Sequence, residues 1–198
     1  DADGNMLMNG VWSYTWNGEN RLIKAENSST GIKVEFDYDY MGRRIFKKVY
    51  SGETLEKHLS FVYDGYKLIE ERNALANNAA VRNYVWQPEA LDRDVPLTVY
   101  DVASEKTYYY HTDANKNVTE LSDENGGIVA HYEYSPFGSL TKVSGEIMLT
   151  VIPSVSAANT SMRKLDLSTT TTAITILNLV AGFHAIPLKS KVDTTCMV

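Results

Sequence analysis

Four aspartates sit close behind an aromatic residue. Asp39 follows Tyr38, Asp64 follows Tyr63, Asp101 follows Tyr100, and Asp113 lies just past Tyr110. Carboxylates that converge in space can divide acid–base work between them or hold a metal ion. These four recur with the sequence instead of converging once, and aspartate also opens turns by accepting backbone N–H groups. Turn chemistry is therefore the expected role. Arg21 and Arg43 follow an Asn turn and a Gly turn. They could bind anions, but pairing with the repeat carboxylates or covering neighbouring tyrosine rings accounts for them.

Other chemistry finds little support. His58, His111 and His131 are scattered without metal-ligand spacing, and His184 lies far downstream. The one cysteine, Cys196, can form neither an internal disulfide nor a cysteine-based zinc site. No Gly-rich phosphate loop and no nucleophile elbow occur. The aromatic residues could stack against sugars, but packing between neighbouring strands is their default use. No catalytic, cofactor-binding or metal-ligating residue is assigned, and the chain reads as non-enzymatic.

The elements that carry these residues are short strands. The chain has 198 residues, 43% of them hydrophobic, with 13 Tyr against 5 Phe. An excess of tyrosine suits half-buried strands, where the ring packs and the hydroxyl reaches a partner. A net charge of −6 argues against nucleic acid as a partner. Trp16, Tyr38, Tyr63, Trp86, Tyr110 and Tyr134 mark a repeat with spacings of 22, 25, 23, 24 and 24 residues. Each ends an alternating aromatic or β-branched run, and turns with Gly18, Gly42 with Arg43, Gly65, or Asp113 to Asn117 follow. Residues 73–80 predict a loop or short helical turn, and 87–96 a longer loop. The passage from 11 to 143 thus predicts a continuous antiparallel ribbon of hairpins, each burying the next.

Residues 108–138, from Tyr108-Tyr109-Tyr110-His111-Thr112-Asp113 through Tyr132-Glu133-Tyr134-Ser135-Pro136-Phe137-Gly138, closely resemble the core of the bacterial RHS family. Its unit is the tyrosine–aspartate (YD) repeat. Departures are Thr112 where an aromatic or polar residue is usual, Lys116 where Gly is usual, and Ser135 where Asp is usual. The resemblance implies an all-β ribbon that winds into part of a hollow shell. It also implies a C-terminal toxin as cargo and the remaining repeats of a longer protein as partners. Many members of the family cut themselves near the end of the core, using aspartates around an Arg-Asp-Pro passage. The corresponding stretch here is His184-Ala185-Ile186-Pro187, so no cleavage residue carries over.

After Glu146 the character changes. Turn signals thin out, Thr169 to Thr172 run together, and 173–188 is apolar without pattern. A reading-frame slip explains this. Read one base earlier, threonine codons permit tyrosine, and residues 180–188 permit Gly-Arg-Trp-Ile-Ser-Arg-Asp-Pro-Ile, the family's signature. Residues 152–156 likewise permit Asn-Pro-Phe-Arg-Phe. The expectation is an RHS ribbon over 1–146 and a non-native, poorly ordered tail over 147–198. The apolar run is too short for the roughly 20 residues of a membrane span. Residues 1–6 look like the latter half of a YD motif, so the chain reads as a fragment, and its lack of a signal peptide carries no weight.

The leading function is structural, a piece of an RHS shell that encloses and delivers a toxin, secreted or at the cell surface. The alternative is an adhesion or carbohydrate-binding module. Aromatics exposed on one face favour the alternative, and aromatics buried between strands favour the shell.

Overall fold

The computed structural model describes residues 1–88, 95–136 and 140–145. The Pro136 turn is described only to Pro136, and the expectations for Phe137, Gly138, the middle of the 87–96 loop and the tail lie outside the described residues. Thirteen strands form one sheet: β1 (Met8–Asn9), β2 (Trp12–Trp16), β3 (Leu22–Asn27), β4 (Ile32–Tyr38), β5 (Arg44–Ser51), β6 (Thr54–Asp64), β7 (Lys67–Asn73), β8 (Ala79–Trp86), β9 (Pro96–Asp101), β10 (Lys106–Thr112), β11 (Val118–Ser122), β12 (Ile128–Tyr134) and β13 (Leu140–Gly145). Their order in space is their order in sequence, and each pairs with the next antiparallel. The all-β hairpin ribbon is as expected. Ala74–Ala76 forms a short 3₁₀ turn, capped by the Asn73 side chain, which accepts from Leu75 N–H.

Successive turns alternate between the two long rims of the ribbon. One rim carries a five-residue loop that recurs as Asp1–Asn5, Asn17–Arg21, Asp39–Arg43 and Asp113–Asn117. In each, the first side chain accepts N–H bonds from the third and fifth residues. The fourth N–H returns to the first carbonyl. The fourth residue takes positive φ: Gly4, Asn20, Gly42 and Lys116. The same loop closes β11 to β12 on the other rim as Asp123–Gly127. Asp and Asn are selected here because only a short carboxylate or amide reaches both donors.

Every even strand from β2 to β12 ends in a register shift immediately before its last rim residue. The shifts fall at Thr15/Trp16, Asp37/Tyr38, Val62/Tyr63, Val85/Trp86, His111/Thr112 and Glu133/Tyr134. The extra residue lies second in the facing odd strand at Ile23, Ile45, Leu97, Thr119 and Thr141, and third at Ile69 in β7. A bulge changes which face later residues occupy. On the core side it brings Ala25, Lys47, Glu71, Val99 and Leu121 into one column, and all five are buried. Even strands supply a second column at Tyr14, Phe36, Phe61, Tyr84, Tyr110 and Tyr132. The opposite face is polar, with Lys24–Glu26, Lys33–Glu35 and Arg72–Glu70 ion pairs.

This geometry corrects one repeat marker. Tyr110 belongs to the buried aromatic column, and the rim position before Asp113 is held by Thr112. The true rim spacings across that unit are set by Thr112, which lacks the ring that the sequence pattern follows.

Lys116 holds a left-handed backbone that costs a non-glycine residue roughly 1–2 kcal/mol. Lys116→Gly is expected to raise stability by about 0.5–1 kcal/mol, part of the relief being offset by the freer unfolded chain. Gly42→Ala is expected to lower it by about 1–2 kcal/mol. There the new Cβ also meets the Arg21 guanidinium at 3.1 Å. Urea denaturation of the full chain measures both.

Candidate functional site

The repeat residues assemble along the rim as a chain of loop-to-loop contacts. Arg43 pairs with Asp39 at 2.6 Å, and its guanidinium lies 5.2 Å from the Tyr63 ring centre. It also donates to the Gly65 carbonyl of the next turn. Burial works to raise the Asp39 carboxyl, but hydrogen bonds from the Arg43 side chain and from backbone N–H groups outweigh it and hold it below its usual range. Arg21 repeats the arrangement one unit earlier. It donates to the Asp39 carbonyl at 3.2 Å and sits 5.8 Å from the Tyr38 ring centre. Its carboxylate partner is Glu19 at 2.8 Å, in its own loop. In the Asp113 loop Asn117 takes the arginine's place and donates to Asp113 Oδ2 at 2.8 Å.

The rim aromatics close the gaps that the turns open. Trp16 Nε1 donates to Met6 O, Tyr38 Oη to Leu22 O, Trp86 Nε1 to Leu68 O, and Tyr134 Oη to Val118 O, all at 2.7–2.8 Å. Each acceptor lies beyond the last register pair joining its strand to the strand that carries the aromatic. The ring tips thus replace ladder bonds where two strands splay. At the bulges, Thr119 and Thr141 hydroxyls donate to His111 O and Glu133 O.

The aspartates divide by role. Asp39 and Asp113 are loop formers. Asp64 ends β6 opposite Lys67 across the Gly65-Tyr66 turn. Asp101 accepts from Ser104 in its turn, and its other oxygen lies 3.3 Å from Arg82 Nε. They lie in separate loops and at separate strand ends along the ribbon and do not converge. Among the described residues no three His, Cys, Asp or Glu side chains approach a common metal position. His111 bonds Ser122 at 2.9 Å, His131 lies between Glu120 and Glu133, and His58 packs edge-on against Phe46.

A buried charged row is the feature that sequence reasoning missed. Glu71 is 6% exposed, yet it accepts from Tyr84 Oη at 2.8 Å and from Arg82 at 3.2 Å. Arg82 bridges onward to Asp101. Lys47, 7% exposed, lies on the same face. Burial, reinforced by the positive charges of Arg44 and Lys57, pushes its pKa down to about 7. Burial likewise raises the Tyr84 and Tyr110 hydroxyls well above their usual range. Lys47 and Glu71 hold the column that is Ala25, Val99 and Leu121 elsewhere. The periodicity of Arg44 to Val49 placed them only if the Ile45 and Ile69 bulges were known.

These features define a class. The protein is a ribbon of YD-repeat hairpins with a polar outer face and an aromatic inner one. The chain matches the Teneurin YD-shell family over residues 1–149 and belongs to that family. It is similar to the tRNA nuclease WapA of Bacillus subtilis (strain 168), 29% identical over 143 residues, which cover 72% of this chain and 6% of that protein. It is also similar to the double-stranded DNA deaminase toxin A of Burkholderia cenocepacia (strain H111), 25% identical over 64% of this chain and 10% of that protein. Human Teneurin-1 is 24% identical over 71% of this chain and 5% of that protein. The Photorhabdus luminescens Tc holotoxin pore shares the fold, with a TM-score of 0.50 at 15% identity over 73% of this chain and 7% of the matched chain. The chain therefore spans a tenth or less of these relatives.

The Lys47 ammonium sets a pH dependence. Its folded value near 7 lies below its ordinary 10.5, so between those values the unfolded chain binds more protons than the folded one. Stability should rise with pH from about 7 toward 10, by up to about 1.4 kcal/mol per unit from this group. Above about 10 the buried tyrosines reverse the trend, because the folded state keeps protons that the unfolded state loses. Lys47→Met should flatten the lower limb in urea titrations of the full chain.

Proposed function

We propose that this ribbon is a stretch of wall in a shell that encloses a toxic C-terminal segment of a longer protein and delivers it outside the producing cell. The observation that carries this reading is the one-sided burial of a long sequential sheet. A column of aromatic residues from β2 to β12, Tyr14, Phe36, Phe61, Tyr84, Tyr110 and Tyr132, faces one way, while the other face is largely charged and carries Phe46, Tyr50, Tyr100 and Tyr109 among its ion pairs. A wall that separates cargo from water needs that asymmetry. The family match and the named activities of the relatives, a tRNA nuclease and a DNA deaminase toxin, support it. In this reading the ribbon itself performs no catalysis, and its partners are further repeats and the cargo. A net charge of −6 speaks against nucleic acid as a ligand of the wall.

A carbohydrate-binding surface rests on a narrower observation. Tyr40, 91% exposed, and Tyr66 crown neighbouring rim turns, which Arg43 links. The larger set of rings, from Trp12 to Tyr132, is buried, which favours the shell.

The division at residue 146 is part of the proposal. The family match runs to residue 149, close to the proposed slip in reading frame. Resequencing the gene across the codons for 140–150 is expected to show one additional base; an unchanged sequence would remove the frame-slip account of the tail.

For the longer protein, limited proteolysis is expected to leave the C-terminal segment intact until the wall is denatured. Digestion of that segment in the native protein as fast as in isolation would overturn the enclosure.

A further inference from the structure

Lys47 breaks the pattern of the buried face. Its register pairs are Phe36 and Leu59, and Lys57 pairs with Val49 on the same side. Lys47 and Lys57 are therefore diagonal neighbours on adjacent strands, about 7–8 Å apart at the backbone. Arg44 opens β5 on this face, with its guanidinium 4.5 Å from the Phe36 ring centre. Its Nε is buried and has no hydrogen-bond partner. Among the described residues the Lys47 ammonium makes no hydrogen bond or ion pair, although the residue is 7% exposed.

Among the described residues the nearby carboxylates do not pair with Arg44, Lys47 or Lys57. Both oxygens of Glu71 are engaged by Tyr84 and Arg82, and Asp101 is shared between Arg82 and Ser104. Among the described residues Arg44, Lys47 and Lys57 have no carboxylate partner on this face, in a chain whose net charge is −6. A charge taken largely out of water without a partner is costly. A fold that keeps such charges on an otherwise apolar face has a use for an anion there.

We propose that Arg44, Lys47 and Lys57 form an anion site on the buried face that takes carboxylates from an acidic, extended segment of the same longer protein. The inference rests on the shell reading in one respect, that this face is the enclosed one. Spacing favours a peptide. An extended chain presents alternate side chains to one side every roughly 6.8 Å, close to the diagonal separation of Lys47 and Lys57. The relatives extend far beyond the part that matches this chain, which leaves ample polypeptide to supply such a segment.

The test uses the full 198-residue chain and the peptide Glu-Ser-Glu-Ser-Glu, blocked at both ends, in calorimetric titrations at pH 6.5 and low salt. Binding is expected, and Lys47→Met should weaken it by about ten-fold, the loss of one charge-assisted contact. Lys24→Met, on the opposite face, should leave it unchanged. If Lys47→Met does not fold, as judged by circular dichroism, Lys57→Gln provides the same comparison. Failure of the folded wild-type chain to bind overturns the proposal, as does equal loss in Lys24→Met. Inorganic phosphate that competes as well as the peptide does would overturn the peptide assignment. The titration stands apart from the proteolysis experiment. Peptide binding without cargo protection would leave the anion site in place and remove the shell.

Discussion

The ribbon depends on one local interaction, an Asp or Asn side chain that accepts two backbone N–H groups across a five-residue turn. Hairpin turns leave several backbone donors without ladder partners, and a buried or half-buried unpaired donor costs about 1–3 kcal/mol. Asp39, Asp113 and Asp123 settle this within the loop itself. The loop also fixes a left-handed fourth residue, which sets the direction in which the next strand leaves. Because the solution is local, it can recur along the chain without long-range instructions, and the strands follow in sequence order.

Local loops alone would give independent hairpins, which are marginal in water. Two further devices join them. The fifth loop residue reaches the following loop: Asn5 to Asn20, Arg21 to Asp39, Arg43 to Gly65. The rim aromatic then reaches back toward the preceding odd strand: Tyr38 to Leu22 and Tyr134 to Val118, the first residues of β3 and β11, Trp86 to Leu68 in β7, and Trp16 to Met6 just ahead of β1. A single aromatic–Asp/Asn–x–x–Gly–Arg pattern therefore encodes the turn, the forward contact and the backward contact together. Lys116 and Thr112 show how much variation this tolerates. Lys116 pays in backbone strain, and Thr112 supplies no ring, yet β10 and β11 still pair.

The sequence made the repeat legible because the loop chemistry is written in consecutive residues: Tyr38-Asp39 before Gly42-Arg43, and Asp123 before Gly126-Gly127. Hairpin order, strand faces near the turns, and the roles of Arg21 and Arg43 follow from neighbours in the chain. What was hidden was parity. Leu68 is buried, and simple alternation from it puts Glu70 inside. The bulge at Ile69 instead turns Glu71 inward and Glu70 out. The same shift at Ile45 buries Lys47. Bulges in this sheet leave no Gly or Pro signature, since Ile, Leu, Thr, Val and Glu fill them, so alternation read from residue types alone fails at these points. Tyr110 departs from the expected rim position for a related reason. The inner aromatic column runs two residues behind the rim column, and only the absent ring at position 112 separates them.

Parity also explains why the charged row lies where it does. Lys47, Glu71 and Arg82 each occupy a position that other units fill with Ala, Val, Leu, Tyr or Trp, so the ribbon geometry neither requires nor creates them. Hydrophobic residues of similar volume would pack there at no desolvation cost, and replacement of buried ion pairs by such residues is often neutral or stabilising. Glu71 and Arg82 at least satisfy one another, with Tyr84 and Asp101 taking up further bonding capacity. Lys47 has no such compensation. Among the described residues its ammonium faces the like charges of Arg44, Lys57 and Arg82, and Glu71 opposes them at a distance. Fold stability therefore gives no reason for the lysine, and a ligand charge on that face does.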